Sequence, residues 1–185
     1  MKLSISLFLI LSYILAGCSE TGPDYGSDAN SLKAIDVKSA IATANLWKDS
    51  KPQIKSHVTP TELVFEFPDN QKVTKPLPDS IMYIAVAPYI NYTHTCSTHY
   101  PSSCQGELTE QSFKVKATDD KGVVLYDGAI STLKNGFFEL WLPRERTISL
   151  HIAQNSLSCD ETVTTFKDSR TCVTTTKLKY RTKKY

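Results

Sequence analysis

The sequence has no surplus of charge of either sign. Its 21 lysines and arginines stand against 19 acidic residues in 185, a net charge of +2. So balanced a chain lacks the basic field that draws in nucleic acid, and no nucleic-acid partner is expected. Glycine is sparse, at 7 residues, and no glycine-rich phosphate loop is present. The Gly-x-Ser-x-Gly elbow of a hydrolase is missing around Ser102 and Ser103. No pair of catalytic carboxylates stands out, so nothing identifies an enzyme. There is no Cys-x-x-Cys, which counts against a thiol–disulfide oxidoreductase. No internal repeat is visible, and the length excludes a (β/α)₈ barrel, which takes about 250 residues. What remains is one ordinary globular domain or two small ones, 41% hydrophobic in composition.

The N-terminus carries an address. Lys2 precedes an apolar run, Leu3 to Leu15, which falls short of the about 20 residues that span a bilayer. This is the layout of a cleaved secretory signal. Leu15-Ala16-Gly17-Cys18 resembles the lipobox of bacterial lipoproteins, which implies removal of residues 1–17 and diacylation of Cys18. Acylation by two or more chains anchors a protein firmly. Ser19 after that cysteine resembles the sorting signal for the outer membrane. A soluble periplasmic protein with an ordinary signal peptide is the alternative. Ser19–Ser31 is polar, without periodicity, and reads as a flexible tether, so residues 18–31 are assigned to lipidated cysteine and tether.

The remaining chain divides at about residue 80. In 32–80, apolar residues from Leu32 to Trp47 recur at helical spacing, predicting one amphipathic helix from a cap at Ser31 to Pro52. Leu63–Phe67 and Lys72–Lys75 then flank Pro68-Asp69-Asn70 as a hairpin. In 81–185, Ile81–Ala87 is almost continuously apolar and reads as a fully buried strand. Strands are predicted at 112–118, 123–126, 137–142, 147–153, 162–166 and 172–180, punctuated by Asp-Gly and Asn-Gly turns. The expected fold is α+β, mainly β: a helix and hairpin packed with a sandwich or barrel-like body. Lys177, Lys179, Arg181, Lys183 and Lys184 give the C-terminus the look of an edge strand guarded by charge. A contact with anionic lipid or nucleic acid is the less favoured reading of that segment.

With Cys18 assigned to lipid, Cys96, Cys104, Cys159 and Cys172 remain. Two structural disulfides are one reading, each worth about 2–4 kcal/mol. Metal binding is the other. His94, Cys96, His99 and Cys104 share a polar loop after the buried strand, and Cys172 lies on a distant strand that folding can bring to it. Soft thiolates and imidazoles together suit a soft or borderline metal. Zinc sites favour Cys-x₂₋₄-Cys pairs, which are absent, whereas three thiolates suit trigonal Cu(I). A domain of this size does not need staples to fold. His94 and His99 are candidate auxiliary ligands. His57 and His151 have no thiol or acidic cluster nearby in sequence.

Over Pro88–Leu108 (PYINYTHTCSTHYPSSCQGEL), Asn135–Pro143 (NGFFELWLP) and Thr171–Thr175 (TCVTT) the chain resembles the CueP family of periplasmic copper-binding proteins. The resemblance implies copper bound by three cysteines, which map onto Cys96, Cys104 and Cys172, a role in envelope copper tolerance, and a homodimer. Cys159 departs from the three-cysteine pattern. It is either a disulfide partner of Cys172, across a hairpin turning near Asp168-Ser169, or a resolving thiol, or a surface residue. Thiols in an oxidising compartment must be kept reduced, so a thioredoxin-like reductase is an expected partner. Stoichiometric reduction of Cu(II) by the thiols is a further expectation.

Overall fold

The computed structural model describes Gly22 and residues 24–180. The signal segment, Cys18 and the start of the tether lie outside the described residues, as does 181–185. The chain folds mainly into strands, in three sheets, with a small helical part. No barrel closes among the described residues.

Two helices replace the single one expected. α1 spans Tyr25–Ala34 and α2 spans Val37–Ser50. Asp36 breaks them apart because its carboxylate accepts from the N–H groups of Lys38 (2.9 Å) and Ser39 (3.1 Å), a cap that restarts the helix. Ile35 is extended in consequence. Asp24 caps α1 by accepting from Ser27 N–H, so the tether reading ends at Tyr25. Beyond it, Ala29 and Leu32 are buried in the core.

β1 (Lys55–Val58), β2 (Glu62–Glu66) and β3 (Lys72–Pro76) form an antiparallel meander. The β2–β3 hairpin is the expected one, with Asn70 at φ +67° in its turn. β4 (Ile81–Val86) lies in the middle of a second sheet, between β10 (Cys172–Val173) and β7 (Phe138–Pro143). The third sheet has the order β11-β9-β8-β5-β6, with β5 Ser112–Asp119, β6 Val124–Ser131, β8 Thr147–Gln154, β9 Leu157–Thr164 and β11 Lys179–Tyr180. The C-terminal strand expected at 172–180 is thus two short strands in two different sheets.

The middle sheet separates two cores. Tyr83, Ala85, Phe137 and Cys172 face the helices and the β1–β3 meander. Ile84, Val86, Phe138, Leu140 and Val173 face the five-stranded sheet. With both faces covered, β4 must be apolar at successive positions rather than alternate ones. The two-residue period also decides that Cys172 points to the N-terminal core while Val173 points away from it.

Candidate metal centre

Three segments converge in the N-terminal core. Cys96 and Cys104 lie on the long β4–β5 connection, and Cys172 lies on β10. Backbone bonds to both neighbours fix the loop. The Val58 N–H donates to the His99 carbonyl (2.8 Å), and the Ser97 carbonyl accepts from the N–H groups of Thr171 (3.0 Å) and Cys172 (3.2 Å). The buried Thr171 hydroxyl accepts from the His99 N–H (3.0 Å) and donates to the Val58 carbonyl (2.5 Å). One side chain thereby ties β1, the loop and β10 together. At the far end Lys48 of α2 donates to the Cys104 carbonyl (2.9 Å). Gly106 N–H donates to the carbonyl of Asn135 (2.7 Å), in the β6–β7 turn.

The sulfurs of Cys96 and Cys104 are 3.7 Å apart. One ligand atom from each of His94, Cys96, Cys104 and Cys172 lies within 4.8 Å of all the others. Exposure grades inward, from exposed His94 through half-buried Cys96 to buried Cys104 and Cys172. Cys96 S–H donates to the Thr98 carbonyl (2.9 Å), and the Tyr100 N–H donates to the Cys104 sulfur (3.4 Å).

The cluster divides its protons unequally. Donation from the Cys172 thiol, against the opposing cost of burial, holds Cys104 far below the ordinary thiol range, and the His99 imidazole adds to this. That donation, with burial, pushes Cys172 strongly up. Burial pushes Cys96 up to about 11. The cluster thus favours a thiolate at Cys104 and thiols at Cys96 and Cys172.

His99 is completely buried, with its ring 4.7 Å from Phe137 and 6.0 Å from Tyr83. Neither ring nitrogen has a hydrogen-bond partner, although the ring lies close enough to Cys104 to favour the thiolate. Leaving such a group unpaired costs about 1–3 kcal/mol. An orphaned imidazole beside three sulfurs fits a soft metal ion, which takes thiolate and imidazole donors together.

The structure brings together Cys96, Cys104, Cys172 and His94, and sets His99 beside them. It does not bring in Cys159, which lies on β9 opposite Ile152 and packs against the second core. Burial, with Asp160 and Glu161 nearby, pushes its thiol up to about 12. The hairpin expected between Cys159 and Cys172 does not form, because β9 pairs with β8 and β10 pairs with β4. All four described cysteines are free thiols, so no Cys159–Cys172 disulfide exists here. His57 lies against Tyr100, and His151 pairs with Asp160 at the surface. Trp141 packs on Tyr83 as a core residue. Thr171, Lys48 and Asn135 were not legible as site residues, because their role is to hold backbone. Only the quoted Thr171 and Asn135 segments pointed towards them.

A family model described as periplasmic copper-binding protein CueP matches residues 39–177. The crystal structure of S.CueP superposes with a TM-score of 0.76 at 33% identity, covering 84% of this chain and 96% of that one. No curated protein matches the chain. Among the described residues no helix is long and apolar enough to cross a membrane. The family match extends over the loop thiols and β10 alike, and the chain belongs to the CueP family of periplasmic copper-binding proteins.

Proposed function

We propose that this protein sequesters Cu(I) in the bacterial envelope through the thiolates of Cys96, Cys104 and Cys172 and so contributes to copper tolerance. The observation that carries the reading is the convergence of these sulfurs, from a loop and a distant strand, with all donor atoms within 4.8 Å. Three sulfurs in an apolar pocket suit a soft monovalent ion, and the sequence lacks the closely spaced Cys-x₂₋₄-Cys pairs usual in structural zinc sites. His94, exposed at the rim, is the first ligand an incoming ion meets. His99 is the auxiliary donor from within. Acylation of Cys18 anchors the protein to the outer membrane, a reading supported by the Leu15–Cys18 resemblance.

The pair at 3.7 Å also supports stoichiometric reduction. Closing a Cys96–Cys104 disulfide releases two electrons, which convert two Cu(II) to two Cu(I), and the one proton of the Cys96 thiol passes to water, since the Cys104 partner reacts as the thiolate. A thioredoxin-like envelope reductase then restores the thiols.

The test is an anaerobic Cu(I) titration of the chain from Ser19 onward against a chromophoric competitor. One tightly held Cu(I), lost in Cys96→Ser, Cys104→Ser or Cys172→Ser but kept in Cys159→Ser, supports the site. No binding above the competitor overturns it in favour of a metal-free interaction module.

A further inference from the structure

The segment that carries His94 has no backbone ladder of its own. Among the described residues, no backbone–backbone hydrogen bond is made by residues 90–96. Such bonds stop at Tyr89, whose carbonyl accepts from Leu178, and resume at Ser97, whose carbonyl accepts from Thr171 and Cys172. Side chains hold the stretch between them. The Glu107 carboxylate accepts from the Ile90 N–H (2.6 Å), the Asn91 N–H (2.9 Å) and the Asn91 side-chain amide (2.8 Å). Further on, the Thr93 hydroxyl donates to the Thr174 carbonyl (3.0 Å).

Both anchors are themselves fixed. On one side of Glu107 the Gly106 N–H donates to the Asn135 carbonyl (2.7 Å), and on the other the Leu108 carbonyl accepts from the Thr132 hydroxyl (2.6 Å). Thr174 follows Val173, whose carbonyl accepts from the Ala87 N–H (2.9 Å). Against the cost of burial, the N–H groups around Glu107 hold its carboxyl below the ordinary carboxylate range, so it stays ionised at neutral pH. His94, next to Thr93, meets the wall of the site through Phe137, with ring centroids 6.2 Å apart.

We propose that Glu107 and Thr93 are positioning residues of the metal centre, which hold His94 in place over the sulfurs. The inference rests on the reading of His94 as a ligand. Neither residue belongs to the cluster of candidate ligand atoms, so each acts through His94. Without these ties an arriving ion would have to order the segment itself, and the backbone freedom lost would be subtracted from its affinity. With them, a nitrogen of the imidazole already lies within 4.8 Å of the three sulfurs in the metal-free protein. A carboxylate suits the task at Glu107, because its two oxygens accept from three N–H groups, whereas an amide offers one oxygen and turns donors of its own on the rest.

The experiment is a double-mutant cycle on the purified protein. Anaerobic Cu(I) affinity is measured against a chromophoric competitor for the parent, Glu107→Gln, His94→Ala and the double variant. Glu107→Gln weakens binding by about tenfold in the parent, but by less than about twofold where His94 is already Ala. In the metal-free protein the amides of Ile90 and Asn91 exchange about tenfold faster in Glu107→Gln. Thr93→Val keeps the side chain's shape, deletes its hydroxyl and shows the same dependence on His94, which keeps the test decisive if Glu107→Gln does not fold. Equal weakening with and without His94 overturns the proposal, since Glu107 then acts on the fold as a whole. Amide exchange that does not change overturns it too. Cu(I) binding that is absent, or that does not depend on His94, overturns the ligand reading and this inference with it. Binding that depends on His94 but not on Glu107 or Thr93 overturns this inference alone.

Discussion

Gly106 and Gly136 pack backbone on backbone. A Cβ placed on Gly136 would lie 2.6 Å from the Gly106 carbonyl oxygen, and one on Gly106 would lie 2.7 Å from that of Gly136. Gly136 also has φ +77°, a conformation that side chains disfavour. This crossing clamps the end of the cysteine loop to the β6–β7 turn. Asn135 secures the turn, accepting from the Phe137 N–H (3.0 Å) and donating to Asn45 of α2 (2.9 Å).

Gly136→Ala should therefore lower stability by about 2–4 kcal/mol, combining the positive-φ penalty with a clash against backbone that cannot rotate away. Urea unfolding measures this. Gly128→Ala is the control, since a Cβ there meets only the end of the Tyr126 side chain, at 3.3 Å. Equal losses in the two variants would remove the clamp from the account of the site.

Thr171→Val keeps the shape of the side chain and deletes its hydroxyl. The His99 N–H and Val58 carbonyl then lose their partner inside the core, at a cost of about 2–3 kcal/mol. Metal affinity should fall with it, because the His99 part of the loop loses one of its ties to β1 and β10. A variant as stable and as tight as the parent would show that Ser97 alone holds the register.

His99→Phe separates stability from metal binding. Removing two unpaired buried nitrogens should stabilise the metal-free protein by about 1 kcal/mol. Metal affinity should fall, since the imidazole neighbour is gone. Thermal unfolding with and without copper reads both effects. A loss of stability in the metal-free form would mean the imidazole already has a partner.

Proton release follows from the division of charge in the cluster. Cys104 lies far below its ordinary range and is already a thiolate at neutral pH, so it gives up nothing on binding. Cys96 and Cys172 lie above theirs and each must lose a proton to become a ligand. Binding should release about two protons per copper, and affinity should fall about a hundredfold for each unit decrease in pH. Titration at fixed metal across pH 6–8 checks the slope. A slope near zero would show that the thiols are not ligands.

Much of this was written in the sequence. The apolar run of β4, the Pro68–Asn70 turn and the polar cysteine loop each follow from a local pattern, because neighbouring residues decide them. Asp36 as a helix cap was equally local, yet its apolar surroundings carried the helical period through it. The tether reading failed at Tyr25 because Ala29 and Leu32 are buried only by the meander they pack on.

The sequence by itself determined which side chains could bind a soft metal: thiols and imidazoles in one loop, and one thiol on a late strand. It could not decide which cysteine joins them. Cys172 lies on an expected strand and Cys159 just before one, and only sheet pairing separates them. Pairing of β10 with β4 turns Cys172 into the N-terminal core, while pairing of β9 with β8 carries Cys159 to the second core. Burial and charge, which leave one thiolate between two thiols, arise only after these distant segments meet, because both depend on neighbours far apart in the chain.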